Sequence, residues 1–261
     1  MASLTISIVV PIVPRHNIYL NKLITNIENG KIVPECLIIA ASSQTEKSKQ
    51  EIRQVLKRYR SPYKIIFSND QLPPGQNRNK GWEIAETDYV TFCDADDTYA
   101  RDRISILKNI AKCKNADLIL HNYSRLKPLI YLNNLQRTNK LVASEELYKS
   151  TFPLRIRNKD HEKGIAGDTN IILPSNTSNN WKIHHGHATV KRSLEIRYGD
   201  RFRGEDGQFC RDVLFSGKNL IYTPNKLSNY DRPTLNNIVL ESRNRIHNDL
   251  ANLKIKVSKF K

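Results

Sequence analysis

Apolar and polar positions alternate in a regular way over the first half of the chain. Ile6 to Val10 is a short β-branched run closed by Pro11, which predicts a buried strand. Leu20, Leu23, Ile24 and Ile27 then recur at helical spacing, and Gly30 ends that predicted helix. Cys36 to Ala41 predicts a second buried strand. Ser43 and Glu46 have the spacing of a capping box, ahead of a helix with Ile52, Val55, Leu56 and Tyr59 on one face. Tyr63 to Phe67 predicts a third strand. A loop containing Pro and Gly and a short helix through Trp82 and Ala85 follow. Tyr89 to Cys93 predicts a fourth strand, which runs straight into Asp94, Ala95, Asp96 and Asp97. Ile104, Leu107 and Ala111 mark another helix face, and Asp117 to His121 a fifth strand. Strands and helices alternating over short connections predict an α/β fold, a mostly parallel central sheet flanked by helices. In such sheets ligands bind beyond the carboxyl ends of the strands. The segments after Val10, Ala41 and Cys93 are therefore the places to look for chemistry.

The second half is less regular. Leu129 to Leu132 fits an edge strand, and Ser144 to Phe152 a capped helix. Residues 155 to 181 read as a long polar loop. Ala188 to Val190 and Leu194 to Tyr198 flank a basic turn, Glu205 to Phe215 predicts a helix, and Leu220 to Tyr222 a short strand. In the tail, Ile246, Leu250, Leu253, Val257 and Phe260 form one helical stripe. Between Glu241 and Lys261 there are six Lys or Arg and two acids, a basic amphipathic helix that would suit an anionic membrane surface or pack on the preceding domain. The expected organisation is a domain over 1–240, with halves 1–123 and 124–240, and a helix over 241–261.

Composition narrows the partners. The 261 residues include 42 Lys and Arg against 26 Asp and Glu, a formal charge of +16 that calls for a nucleic acid, an anionic membrane or a phosphorylated substrate. The basic residues are spread along the chain and not interleaved with aromatics on a recognisable scaffold, which argues against nucleic acid. Cys36, Cys93, Cys113 and Cys210 stand apart without metal-site spacing, as expected of thiols in a reducing, cytoplasmic compartment, with peripheral contact to a membrane through the tail as an option. No run reaches the ~18 apolar residues of a membrane span.

The densest chemical signal is the Asp94–Asp97 run. Three carboxylates within four residues repel one another unless a cation neutralises them, and hard oxygen ligands suit Mg²⁺ or Mn²⁺ bound together with phosphates. A helix cap would account for one of these acids but not three. Glu205 and Asp206 form a second acidic pair at a predicted helix start, where the helix dipole alone would also favour them. Arg78 follows a loop containing Pro and Gly, placed to reach a phosphate or to pair with the acidic turn. His184, His185 and His187 make an HHxH cluster, with no further His or Cys set by spacing to complete a metal site.

The segment GQNRNKGWEIAETDYVTFCDADD, from Gly75 to Asp97, resembles the glycosyltransferase family 2 pattern, in which G-x-x-x-R-N-x-G leads into a strand ending in DxD. Gly75, Arg78, Asn79 and Gly81 occupy the pattern positions, with Asp94 and Asp96 as the DxD acids. ISIVVPIVPRHN resembles the family's first strand and nucleotide-side loop, and RGEDGQFCRDVL its ED motif. The resemblance spans most of residues 5 to 230 and implies a GT-A-like fold. It further implies a nucleotide-sugar donor, a glycan, lipid-linked or protein-linked acceptor with a free hydroxyl, and an inverting, metal-dependent hexosyl transfer. By the same resemblance, Asp96 is the direct ligand of Mn²⁺ or Mg²⁺, and Asp94 contacts metal and ribose. Pro11, Val13, Ser42 and Arg78 face the nucleotide, and Asp206, paired with Glu205, is the base that activates the acceptor. Asp97 is expected to be an outer neighbour of the metal or a helix cap.

One departure from the pattern and one alternative reading matter. Where the family carries an acid after the second strand, this chain has Ala40, Ala41, Ser42 and Ser43, so base recognition must use other groups. A sugar-phosphate nucleotidyltransferase, the nearest alternative, would carry a Gly-rich phosphate loop after the first strand, and PIVPRHN has no Gly.

Overall fold

The structure is a computed structural model, and it describes residues 3–125, 154–155 and 183–230. Leu129 to Leu132, Ser144 to Phe152, Trp181, His247 and the helix expected over 241–261 lie outside the described residues. The chain divides into two compact units, Met1–Ser124 with Asn139–Tyr230, and Arg125–Thr138 with Asp231–Lys261. The first unit carries the central sheet and the helices that cover it.

The elements in chain order are β1 (Ile6–Ile12), α1 (Asn17–Glu28), β2 (Cys36–Ser42), α2 (Glu46–Leu56), β3 (Tyr63–Ser68) and α3 (Pro74–Glu83). Then come β4 (Tyr89–Phe92), β5 (Thr98–Tyr99), α4 (Arg103–Lys114), β6 (Leu118–Arg125), β7 (Leu154–Arg155), β8 (Thr189–Lys191), α5 (Glu205–Phe215) and β9 (Leu220–Tyr230). Short 3₁₀ turns occupy Pro14–His16 and His185–His187. The strands lie in the order β3-β2-β1-β4-β8-β6-β9-β5, with β7 paired to β9. β1 to β4 run parallel, with Val9 opposite Ile38 on one side and Phe92 on the other. β8 enters antiparallel to both β4 and β6, so the expected parallel sheet is parallel in its first half and mixed in its second.

Strand pleating explains the two cores. Ile6, Ile8, Val10 and Ile12 of β1 point to one face, where they pack with Leu20, Leu23 and Ile27 of α1 and Ile104 and Leu107 of α4. Val9 points to the other face, with Trp82 of α3, Phe92 of β4 and Phe209 of α5. Trp82 meets Phe92 and Phe209 edge-on, at 5.8 and 6.1 Å between ring centroids. Gly81 is what lets α3 settle on β1, because a Cβ there would stand 2.4 Å from Val9 Cγ1. Gly75 has a similar role at the start of α3, where a Cβ would meet Glu205 Cγ at 2.9 Å.

Several boundaries move from their sequence-based positions, each for a local reason. β1 continues through Pro11 to Ile12. Val9 O accepts from Cys93 N, so Val9 and Pro11 both face β4, and β4 has ended where Pro11 would need a donor. The capping residue of α2 is Thr45, whose side chain accepts from Ser48 N, and not Ser43. Ser43 instead adopts a left-handed conformation at φ 57°. α3 begins at Pro74, so Arg78 is inside the helix and not ahead of it; Pro at the first helical position lacks only an N–H that would have no partner there. The short strand expected at Leu220 extends to Tyr230. Among the described residues, no helix is long and apolar enough to cross a membrane.

Candidate active site

The carboxyl ends of β1 and β4 open into a cleft of about 680 Å³. Pro11, Val13, Arg15 and His16 line one part of it, with Ser43, Gln71 and Leu72. Asp94, Ala95 and Asp96 lie along it where β4 ends, and Phe202 to Asp206 line a further part. The cleft thus combines a carboxylate-bearing turn, a second acidic pair and a rim carrying Arg15 and Arg203. Of the residues expected at the nucleotide, Pro11, Val13 and Arg78 line the cleft. Ser42 does not; it is fully buried and receives a 3.3 Å hydrogen bond from Asn77 Nδ2. The same amide donates to Ile12 O at 3.1 Å, so Asn77 ties β1 and β2 together beneath the cleft, and Ser43 takes the cleft-facing place.

Arg78 is the centre of the arrangement. It is buried, its Nη2 donates to Asp94 Oδ1 at 2.8 Å, and its Nη1 donates to Glu205 Oε1 at 2.9 Å. One guanidinium therefore connects the acidic turn after β4 to the first turn of α5. Burial alone would lower the Arg78 pKa, but Asp94, Tyr198, Asp206 and Glu205 outweigh it and raise it. Burial likewise pushes the Asp94 carboxyl up, and Arg78 beside it brings the net shift below the ordinary value. Asp94 is thus an anion at neutral pH. Glu205 is 6% exposed and held by Arg78. Asp206 is half-buried and lines the cleft, with Oδ1 accepting from Gly207 N at 2.7 Å. Both members of the pair line the cleft, but Glu205 is held by Arg78 and Asp206 is the more exposed of the two. Gly204, at φ 71°, supplies the left-handed turn that starts α5 at Glu205.

The other side of the acidic turn faces inward. Asp97 is 1% exposed, and its Oδ2 lies 3.0 Å from His184 Nε2 and 3.1 Å from His187 Nε2. Asp97 is not a helix cap, since α4 begins only at Arg103. Gly186 brings the turn carrying the histidines close: a Cβ there would meet Asp94 Oδ2 at 3.1 Å and Arg78 Nη2 at 3.2 Å. Arg103, fully buried, donates through Nη2 to Thr91 Oγ1, Phe92 O and His187 O.

A chain of hydrogen bonds runs through the histidines, and Arg103 Nη1 also lies 3.2 Å from His187 Nδ1. His121 Nδ1 lies 2.8 Å from the carbonyl of Asn122, so that nitrogen carries the proton and Nε2 carries a lone pair. Ser228 Oγ, 3.4 Å away, donates to that lone pair. Ser228 Oγ in turn accepts from Arg103 Nη1 at 3.1 Å and from His187 Nδ1 at 2.6 Å. His187 Nε2 accepts the backbone N–H of Asp94 at 2.9 Å and so bears a lone pair, which places the proton of the neutral ring on Nδ1. Burial holds the pKa of both His121 and His187 well below the usual imidazole value. Sequence reasoning did not join these residues. The HHxH spacing was visible, but Asp97 stands 87 positions before His184, and Arg103, His121 and Ser228 carried no motif.

An α/β sheet with an acidic turn at the carboxyl end of a parallel strand, facing an acidic helix start across one cleft, defines a GT-A-like domain. The chain belongs to Glycosyl transferase family 2, whose profile matches residues 7–176. A protein of Haemophilus influenzae described as an uncharacterized glycosyltransferase is 32% identical over 99 residues, which are 38% of this chain and 39% of that one. Among solved structures, S. aureus TarS 1-349 in complex with UDP-GlcNAc superimposes with a TM-score of 0.62 at 13% identity, over 88% of this chain and 59% of that one. The mannosyltransferase PcManGT from Pyrobaculum calidifontis, in complex with GDP-Man and Mn²⁺, gives 0.59 at 15% identity, over 90% and 59%. At these identities the structural likeness concerns the fold, and the chain spans less than two thirds of each of these relatives.

Proposed function

We propose that this chain transfers a hexose from a nucleoside-diphosphate sugar to a hydroxyl acceptor, with inversion and with a divalent cation. The observation that carries this reading is the shared cleft: Asp94 and Asp96 line it together with Asp206, while Arg78 holds Asp94 and Glu205. Complexes of TarS with UDP-GlcNAc and of PcManGT with GDP-Man and Mn²⁺ support a nucleotide sugar as donor.

Asp94 and Asp96 are half-buried oxygen donors at the cleft, a set that fits Mn²⁺ or Mg²⁺. A cation held there would neutralise charge gathering on the departing diphosphate. Arg78 keeps Asp94 ionised and oriented, and Arg15 and Arg203 at the rim add positive charge for the phosphates. Glu205 is occupied by Arg78, which leaves Asp206 as the carboxylate to accept the acceptor's hydroxyl proton. With one base available, direct displacement on the anomeric carbon from the face opposite the diphosphate is the simplest course. The base-contacting group lost after β2 is replaced in this reading by Ser43 and backbone atoms of Ile12 and Val13.

The acceptor is a glycan or lipid-linked hydroxyl, and the stripe over 241–261 makes peripheral membrane contact part of the proposal. Four free cysteines accord with a cytoplasmic setting. The test is release of nucleoside diphosphate from a panel of UDP- and GDP-sugars, with and without Mn²⁺. The reading expects cation-dependent turnover of at least one donor by the wild type and its loss in D96N. Turnover unaffected by D96N would remove the metal assignment, and none with any donor would remove the reaction.

A further inference from the structure

Asp97, His184 and His187 are the one group of His, Cys, Asp and Glu side chains among the described residues that converges as metal ligands would, with their ligand atoms all within 4.8 Å. They are distinct from Asp94 and Asp96, which line the cleft, because all three are buried. From this geometry we propose a second, interior cation site, formed by Asp97 Oδ2, His184 Nε2 and His187 Nε2 and suited to a borderline first-row transition ion such as Zn²⁺. Its role is to fasten the turn after β4 to the His184–His187 turn beneath the active site.

Two observations carry it independently of each other. The first is spacing. Ligand atoms at the corners of a tetrahedron around Zn²⁺, with bonds of about 2.0–2.1 Å, stand about 3.3–3.4 Å apart, a few tenths of an ångström beyond the spacing found here. Asp97 Oδ2 lies 3.0 Å from His184 Nε2 and 3.1 Å from His187 Nε2, and the two imidazoles stack at 3.8 Å between centroids. The second is the tautomer of His187. Asp94 N–H donates to His187 Nε2 at 2.9 Å, so that nitrogen bears a lone pair, and the proton of the neutral ring sits on Nδ1, 2.6 Å from Ser228 Oγ. A metal-binding histidine has this form: a neutral ring whose far N–H is held by a second partner, here Ser228 with Arg103 behind it. That lone pair accepts Asp94 N–H, so loading would release the amide. The interior site and the acidic turn are in this way mechanically connected. Imidazole donors in two of three positions favour Zn²⁺ over Mg²⁺ or Ca²⁺.

The site is tested by equilibrium dialysis of the full chain against Zn²⁺, counting bound ion by atomic emission, in wild type, D96N and D97N. Circular dichroism reports whether each variant is folded. One ion per chain is expected in wild type and D96N, with binding at least tenfold weaker in D97N. If D97N does not fold, H184Q takes its place with the same expectation. A wild type that binds no Zn²⁺ overturns the proposal, as does a folded D97N that binds like wild type. Loss of the ion in D96N with retention in D97N would move the ion to the cleft and also overturn it. None of these outcomes depends on the donor or on turnover, so failure here is separable from failure of the glycosyl-transfer reading.

Discussion

The two faces of the Asp94–Asp97 turn have opposite surroundings. Asp94 and Asp96 look into an open cleft, while Asp97 turns inward onto buried histidines and is 1% exposed. A single β-strand end thus distributes its charge between a surface where a ligand can reach it and an interior where protein groups must compensate it. The interior face is built for shape, with Arg103, His187, Ser228 and Thr91 hydrogen-bonded in one network. The cleft face is built for exchange. Substitutions on the first should therefore cost stability, and substitutions on the second should cost activity.

The largest separation is expected at Asp206. D206N should lower transfer about 10²–10⁴-fold, the usual contribution of a positioned base, with the thermal midpoint nearly unchanged. A matching loss of stability would break the distinction between the faces. Arg78 lines the cleft yet is itself buried, an exception to the division, and R78M would leave Asp94 and the buried Glu205 without their counterion. Chemical denaturation should show a loss of about 3–5 kcal/mol, as for removal of one partner of a buried ion pair. R103M should be of similar size, since it strands the acceptors of Thr91, Phe92, His187 and Ser228.

A pH series sharpens the interior side. His121 has a folded-state pKa well below 6.5, chiefly through burial and then Arg103. The unfolded chain takes up the proton first, so stability is lost as the pH falls below about 6.5, by up to about 1.4 kcal/mol per pH unit until the folded-state value is reached. His187 shifts in the same direction, and His185 is lowered to about 4 by burial. H121Q should therefore make the acid limb shallower by about one proton without abolishing it. An unchanged slope would mean that His121 is not the buried neutral ring described. The smallest effect is a control away from both faces: T45A removes the cap of α2, accepted from Ser48 N, and should cost about 1 kcal/mol with no change in activity.

Much of the parallel half was legible in the sequence because its strands are buried on both faces and read as unbroken apolar runs, such as Cys36 to Ala41. The acidic turn and the pair at 205–206 were legible for the same reason, since charge stands out at the end of such a run or at a helix start. The cleft lining at Ser43 was not. It depends on a left-handed residue and on Asn77 holding Ser42 in the interior, neither of which leaves a pattern. The distinct surroundings of Glu205 and Asp206 were also hidden, because they follow from Arg78 reaching across 127 positions of sequence. The interior cluster has the same character. His121, His187 and Ser228 meet through the antiparallel strands of the second half, whose pairing cannot be read from periodicity in segments as short as Thr189–Lys191.

The central claim is that the cleft takes a nucleoside diphosphate together with a cation at the acidic turn. Isothermal titration calorimetry of UDP and GDP into wild type and D96N, each with and without Mn²⁺, tests it most directly. The account predicts that at least one nucleotide binds the wild type more tightly with Mn²⁺ present, and that this gain disappears in D96N. Binding of neither nucleotide, or binding that is the same with and without Mn²⁺ in both proteins, would contradict it.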